Sequence, residues 1–363
     1  MSIPLKDARG WAQFLIDYKK ANTDQAIIDL CNKYKFKSTD VMNRALRRRG
    51  LKSLYLSEPL AVATEHVPYP KFEIRPFKIG KTTRDVEDIG IVLADWHLDK
   101  ITETYNITIA EQRVEYLLDS VMDIINLHRP IKRAFVFETG DMVQGENPFQ
   151  GSKVGECSAS AEDQIHEHAI PMQGRFLTSL AGGVESVHVF GVRGNHGKYS
   201  KEANPKTNWD SLFYKSLAMS LQNQPNISVT PGGWYQLINI MGWRFFLAHF
   251  DQVVSQQGVP LIALRRKLNE WYAAFGGFHY AYGGHWHSGG HDQVNSMASF
   301  DICPPLVTGD DWALEKVGRV SKPIQLCFGI HPKYGRTWEY KLYTDPGFLP
   351  KIYKPEDGEI YFD

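Results

Sequence analysis

Cysteine is scarce and scattered in this chain. The four residues Cys31, Cys157, Cys303 and Cys327 form no Cys-x-x-Cys pair among 363 positions. That pattern excludes a disulfide-stapled scaffold and a thiolate zinc site, and it fits a reducing compartment. Also missing is any apolar run of the roughly 18–20 residues that crosses a bilayer, so no membrane association is expected. The opening Met1-Ser2-Ile3-Pro4-Leu5-Lys6 lacks the apolar stretch of a secretory signal, and the expected location is the cytoplasm. Net charge is absent too, with 41 Lys and Arg against 41 Asp and Glu.

That zero hides an asymmetry. Residues 1–53 hold 12 Lys and Arg against 5 Asp, a net of +7, which leaves −7 on the rest. A basic module on an acidic body suits a polyanionic partner, and DNA is the expected one. Within residues 1–53 the apolar spacing predicts three short helices. Trp11, Phe14, Leu15 and Tyr18 share one face. Asn22 caps a second helix with Ile27, Leu30 and Cys31 inward, and Ser38 caps a third with Val41, Ala45 and Leu46 inward. The outer side of the third helix carries Arg44, Arg47, Arg48 and Arg49. A short turn followed by an arginine-studded helix resembles a helix-turn-helix, and Arg44, Arg47 and Arg48 are candidate nucleic-acid contacts. Small helical modules are also often basic without binding anything.

Residues 54–88 contain Pro59, Pro68, Pro70 and Pro76 and read as a linker. From residue 89 onward apolar runs alternate with amphipathic stretches. Strands are expected at 89–94, 134–137, 187–190, 227–230, 234–240 and 243–248, with helices near 114–125, 158–181, 208–222 and 260–275. The alternation predicts an α/β layered domain over 89–363. The C-terminal stretch 291–363, rich in apolar strands such as Ile324–Phe328, is expected to complete a second sheet.

Five short clusters each follow an apolar run: Asp95-Trp96-His97, Gly140-Asp141, Gly194-Asn195-His196, His249, and Gly284-His285-Trp286-His287. Nitrogen and oxygen groups of this kind suit manganese, zinc, iron or magnesium. The order Asp-x-His, Gly-Asp, Gly-Asn-His, His, Gly-His-x-His resembles the calcineurin-like metallophosphoesterase superfamily over residues 89–290. The resemblance implies two facing mixed β-sheets flanked by helices, a four-layer sandwich with two divalent metal ions at the strand ends. It implies one metal on Asp95, His97, Asp141 and His287, and a second on Asp141, Asn195, His249 and His285. Asp141 would bridge them, manganese being the expected metal. His196 would act on the substrate, giving a proton to the leaving oxygen or holding a phosphate oxygen. Two metals so placed clamp a phosphate and activate a water for in-line attack.

Two departures from the family pattern bear on chemistry. Many members place Asp or Glu after Gly-Asn-His to orient the histidine, whereas this chain has Gly197, which passes the task to an acid such as Glu202 or Asp210. The protein phosphatases of the family carry Asp-Arg-Gly where this chain reads Asp141-Met142-Val143. Arg193 is the nearest basic substitute in sequence and a candidate substrate contact. The missing arginine weighs towards a phosphodiester, and with the basic module it points to a DNA-directed phosphodiesterase, that is, a nuclease. The alternatives are a small-molecule phosphodiesterase or nucleotidase, and a nucleic-acid-binding protein with a non-catalytic metal site. Trp96, Phe149, Tyr199, Trp209 and Trp286 are candidates to stack on bases. Lys153, Lys198, Lys201 and Lys206 lie in loops that could track a phosphate backbone. His166 and His168 read as ordinary helix histidines, and His279, His291 and His331 are only neighbours of the clusters.

Overall fold

The first two strands of the larger unit send successive side chains into two different cores. In β1 (Glu87–Leu93), Ile89, Ile91 and Leu93 enter one core and Val92 another. In β2 (Ile131–Glu138), Ala134 and Val136 share the first core while Phe135 and Phe137 share the second. Such strands are covered on both faces, and so they run almost continuously apolar.

The computed structural model describes residues 13–18, 24–37, 42, 86–146, 157–200, 202–204, 206–254, 260–309, 322–345 and 347. The chain divides into two units, Met1–Pro68 and Tyr69–Asp363. In the first, residues 13–18 are helical and α1 spans Asp24–Lys33. Phe14, Leu30, Cys31, Tyr34 and Met42 form its small core. The third expected helix, with Arg44, Arg47, Arg48 and Arg49, lies outside the described residues apart from Met42, and so does most of the 54–88 linker.

In the second unit β1 and β2 are joined by α2 (Ile107–Leu127), which Asn106 caps by accepting from the Ile109 N–H. A helix beginning at Ala161–Asp163 passes through a π-helical turn, Gln164–Ala169, into α3 (Ile170–Ala181) and leads to β3 (Ser186–Gly191). Then come α4 (Trp209–Ser220), β4 (Ile227–Pro231), β5 (Tyr235–Ile240), β6 (Trp243–Ala248), α5 (Pro260–Ala274), β7 (Tyr280–Gly283), β8 (Gly290–Asn295), β9 (Ala298–Ile302), β10 (Ile324–His331) and β11 (Gly335–Tyr343). One sheet has the order β11-β10-β1-β2-β3-β4, the other β5-β6-β7-β9-β8. Both are mixed. β1 to β4 run parallel, β10 and β11 are antiparallel additions, and β6-β7-β9 form a parallel trio.

The sheets face each other across a core that includes Phe137, Phe245, Leu247, Tyr282 and Phe328. Helices α2, α3 and α4 cover the outer face of the first sheet, and α5 covers the second through Leu264, Leu268 and Trp271. The result is the expected four-layer α/β arrangement of two mixed sheets flanked by helices. One expectation is corrected. Within the 291–363 stretch, β8 and β9 do complete the second sheet, but the 324–328 run lies in the first, antiparallel to β1. All eight residues of β10 are buried: β1 and β11 pair its two edges, Cys327 enters one core, and Ile324, Leu326, Phe328 and Ile330 enter the other. The four cysteines are free thiols. Among the described residues no helix is long and apolar enough to cross a membrane.

Candidate metal centre

Parallel strands deliver the five clusters to one place. Asp95 and His97 follow β1, Asp141 follows β2, Asn195 and His196 follow β3, His249 follows β6, and His285 and His287 follow β7. Carboxyl ends of parallel strands are where open α/β sheets gather ligand groups. Three sets of side-chain atoms come within metal-holding range of one another: Asp95, His97 and His287; His97, Asp141 and His196; and Asp141, His249 and His285. Asp95, His97, Asp141 and His249 are fully buried, Asn195 is nearly so, and His196, His285 and His287 are half-buried on the open side.

The hydrogen bonds behind these rings decide which atoms face inward. His249 Nδ1 sits 2.8 Å from the Thr139 carbonyl, which can only accept, so that nitrogen carries the proton. In the neutral ring Nε2 is then a bare lone pair, yet it lies 2.9 Å from both Asp141 Oδ2 and Asn195 Oδ1. His285 Nδ1 closes the set, 2.8 Å from Asn195 Oδ1. His97 Nδ1 rests on Gln144 Oε1 at 2.8 Å, which turns its Nε2 towards His287 Nε2 at 3.1 Å. That nitrogen is 3.9 Å from Asp95 Oδ1 and 3.9 Å from Asp141 Oδ2, and His287 Nε2 is 3.7 Å from Asp95 Oδ1. Asp141 Oδ2 therefore belongs to both sets.

With Nδ1 protonated, His249 Nε2 faces Asp141 Oδ2 without a donor between them, a contact that a cation relieves. In the bare fold a proton serves. Burial works against it, but Asp141 and Asp95 push the His249 imidazole up to about 10. Burial also opposes ionisation of Asp141, yet His249, His196 and His97 hold its carboxyl well below the usual range. Burial and the other imidazoles keep His97 well below its ordinary value and take His285 down to about 3. Burial pushes Asp95 up to about 7, with His249 opposing and Asp141 adding to it. Neutral imidazoles and an ionised bridging carboxylate are the forms that ligate metals. The donor set, nitrogen and oxygen without sulfur, fits divalent ions of the manganese, zinc, iron or magnesium kind.

The backbone is bent to make this cluster. Asp95, His97, Asp141, His285 and His287 all adopt positive φ, between 44° and 71°. For residues other than glycine such conformations cost roughly 1–3 kcal/mol each and persist where the surroundings enforce them. The adjacent glycines do a different job. A Cβ on Gly194 would lie 2.1 Å from Asp141 Oδ1, and one on Gly284 would lie 2.3 Å from Asp95 Oδ2. Both positions admit a ligand carboxylate only because they lack a side chain.

A second set of groups holds the ligands, and most of it escaped the sequence reading. The buried Asp210 carboxylate, in the first turn of α4, accepts the backbone N–H of Asp141 (3.0 Å), Met142 (3.1 Å) and Gly194 (2.8 Å). It thereby ties the Asp141 loop to the Asn195 loop. Burial and the nearby Asp141 push it up to about 6. It does not orient the His196 ring. That ring bonds instead to the backbone of Gln144, and the His196 N–H donates to Asp141 Oδ1 at 2.7 Å. Glu202 is exposed. The missing acid at Gly197 also has a steric reason. A Cβ there would come within 2.4 Å of Asn208 Oδ1, which caps α4.

From the far end of the chain, Gln325 on β10 accepts from the Ala94 N–H (2.8 Å) and Trp96 Nε1 (3.1 Å) and donates to the Pro304 carbonyl (2.9 Å). Lys100 is buried, and its charge adds to the forces that lower His97 and His196. The local signals for these residues were slight: an Asn-Trp-Asp helix start for Asp210, and nothing for Gln144 or Gln325.

Glu138, at the end of β2, is fully buried and accepts from Gln173 Nε2 at 2.5 Å. Among the described residues Glu138 Oε2 and Gln173 Oε1 have no hydrogen-bond donor. Burial, with Asp210 adding to it, pushes Glu138 up to about 8, so at neutral pH it carries a proton and offers the donor that a carboxylate lacks. The folded value lies above the unfolded one of about 4.3. The associated stability is thus complete below about pH 4.3 and is lost as pH rises through about 8, on the order of a few kcal/mol. Glu138→Gln is expected to match the parent's melting temperature near pH 5 and exceed it by several degrees at pH 9. Thermal melts of both proteins across that range check this, and parallel curves would contradict it.

Other expectations resolve individually. Trp96 is 1% exposed, bonds Gln325 and is no stacking surface. Trp209 is buried at 7%, Trp286 is half-buried between two ligands, and Tyr199 is 42% exposed. His168 pairs with Asp99 at 2.7 Å, His291 with Asp301 at 2.7 Å, and His279 and His331 accept backbone N–H groups. Lys198 is exposed and meets Asp251 at 3.2 Å. Arg193 is half-buried, its N–H on the Gly233 carbonyl. Phe149, Lys153 and Lys201 lie outside the described residues.

No family model matches the sequence, and no curated protein sequence does either. Solved structures resemble it distantly. Vps29 of Entamoeba histolytica complexed with zinc is 11% identical, covering 70% of this chain and 99% of its own, with a TM-score of 0.33. A dimetal phosphatase from Danio rerio is 10% identical, covering 71% and 99%, with a TM-score of 0.35. A 5'-nucleotidase from Candida albicans is 9% identical, covering 75% and 52%, with a TM-score of 0.33.

Proposed function

We propose that this chain is a metal-dependent phosphoesterase that hydrolyses phosphodiester bonds, with DNA as its substrate. The observation that carries the reading is Asp141 Oδ2, which is shared by the His97 side and the His249 side of one buried cluster. Asp95, His97, Asp141 and His287 would hold one ion, and Asp141, Asn195, His249 and His285 the other. When bound, such ions supply positive charge for phosphoryl oxygens and acidify the attacking water. The remaining work falls to side chains. His196 stands beside the cluster, its backbone N–H on Asp141 Oδ1 and its ring 4.5 Å from that of His97 between centroids, and its imidazole would exchange a proton with the leaving oxygen. Lys100 adds positive charge beside His97 and His196.

Two features support a diester and a polyanion. Met142 stands where a phosphatase of this pattern grips a monoester with arginine, and residues 1–53 carry a net +7. The test is hydrolysis of linear, nicked and single-stranded DNA with manganese, magnesium or zinc, beside methyl p-nitrophenyl phosphate and p-nitrophenyl phosphate. DNA cleavage should fall steeply with salt while the small diester should not respond, because counterion release accompanies only the former. Turnover of the monoester alone would overturn the assignment. Salt-insensitive cleavage of diesters would favour a small-molecule substrate.

A further inference from the structure

Three residues past His196, the chain presents an aromatic surface that the metal cluster does not use. Tyr199 stacks on Trp209 with ring centroids 3.8 Å apart and planes 22° apart. Trp209 is buried, and Tyr199 is 42% exposed. The stack is anchored at both ends. The Trp209 N–H donates to the Gly197 carbonyl at 2.7 Å, and Lys198 pairs with Asn208 across the neck of the loop. Asn208 in turn donates to the Gly194 carbonyl at 3.0 Å, which ties the platform to the turn carrying Asn195 and His196. A Cβ on Gly145 would come within 3.3 Å of Trp209 Cδ1 and 2.4 Å of the His196 carbonyl, so the stack abuts the Asp141 loop as well. Three residues of chain reach at most about 11 Å, so the Tyr199 backbone stays close to His196.

We infer that Tyr199, backed by Trp209, is a stacking platform for a nucleobase of the substrate, which makes the scissile phosphate that of a nucleotide unit. This rests on the phosphodiesterase reading and specifies its substrate class. A ring fixed from behind loses little entropy when a base lands on it, and stacking is tolerant of base identity. The surroundings suit a neutral partner. Burial chiefly, and then the charges of Glu162 and Glu146, push the Tyr199 hydroxyl up. Those same acids repel a phosphate from this spot but not a base.

The test compares two esters with one leaving group, thymidine 5′-(p-nitrophenyl phosphate) and methyl p-nitrophenyl phosphate, on the full chain. Tyr199→Ala should lower kcat/KM for the thymidine ester about five- to a hundred-fold, the range of one base–aromatic stack. It should leave the methyl ester within twofold, and Tyr199→Phe should restore the parent value. Equal losses on both esters, or none on either, would overturn the inference. If the parent cleaves neither these esters nor DNA, the phosphodiesterase reading fails by itself, and binding then decides the platform. Thymidine monophosphate and oligothymidylate are titrated against tryptophan fluorescence, in the parent and in Tyr199→Ala. Weaker binding to the variant upholds the platform, and unchanged binding removes it. Within the former result, preference for the oligomer assigns the base to a strand, and equal binding assigns it to a free nucleotide.

Discussion

Asp141→Asn should empty both metal positions and lower turnover by about a thousandfold or more, whereas His287→Ala should empty one. The carboxylate is shared: Oδ2 lies 2.9 Å from His249 Nε2 and 3.9 Å from His97 Nε2, while His287 meets the Asp95 and His97 side. Replacing Oδ2 by an amide nitrogen removes the negative charge that both ions would use. The metal contribution to a phosphoryl transition state is several kcal/mol, and about 1.4 kcal/mol is one decade in rate. Folding need not suffer, because the asparagine Oδ1 can still accept the His196 N–H. Metal analysis of the dialysed variants, with circular dichroism as a control, reads the result directly. Equal metal loss in the two variants would contradict a bridging role for Asp141.

His196→Ala is the second large effect, with the opposite metal signature. Turnover should drop about 10²–10⁴-fold, the range for a positioned proton-transfer group, and both metals should stay. His196 meets the cluster through its backbone N–H on Asp141 Oδ1, which alanine retains, and through a ring perpendicular to His97 at 4.5 Å between centroids. The loss should be smaller for an ester whose leaving group is a good one, such as p-nitrophenol, than for DNA, because a stable phenolate needs less help from a proton. Rates on both substrates with metal content in parallel test this. A uniform loss on the two substrates would assign His196 to binding rather than to proton transfer, and a loss of metal would make it a ligand.

The ligands were legible because each is a short motif directly after an apolar run, and parallel strands deliver such motifs to one edge. The α/β layering was legible in the alternation of short apolar runs with amphipathic stretches, which the structure turns into β1, α2, β2, α3 and β3. What holds the ligands was hidden. Gln325 meets Ala94 across 231 positions, and no local pattern marks a glutamine for that task. Asp210 carries a helix-start signature, but its three amide partners come from two loops far away in sequence. Trp96 read as a stacking ring because a tryptophan between ligands suggests contact with substrate. The positive-φ turns at Asp95 and His97 instead accompany an indole turned inward against β10. The placement of β10 was undetermined, since an eight-residue apolar strand suits either sheet until a neighbour is chosen.

Gln325 has a consequence for how the protein is born. Every candidate ligand has been polymerised by residue 287, whereas the glutamine that fixes the first ligand turn sits in β10, some forty residues later in the chain. A nascent polypeptide stalled in that interval owns all its metal-binding groups and lacks the crossbeam that aligns the leading pair. The leading turn is therefore fully braced only once β10 has been made and has paired beside β1.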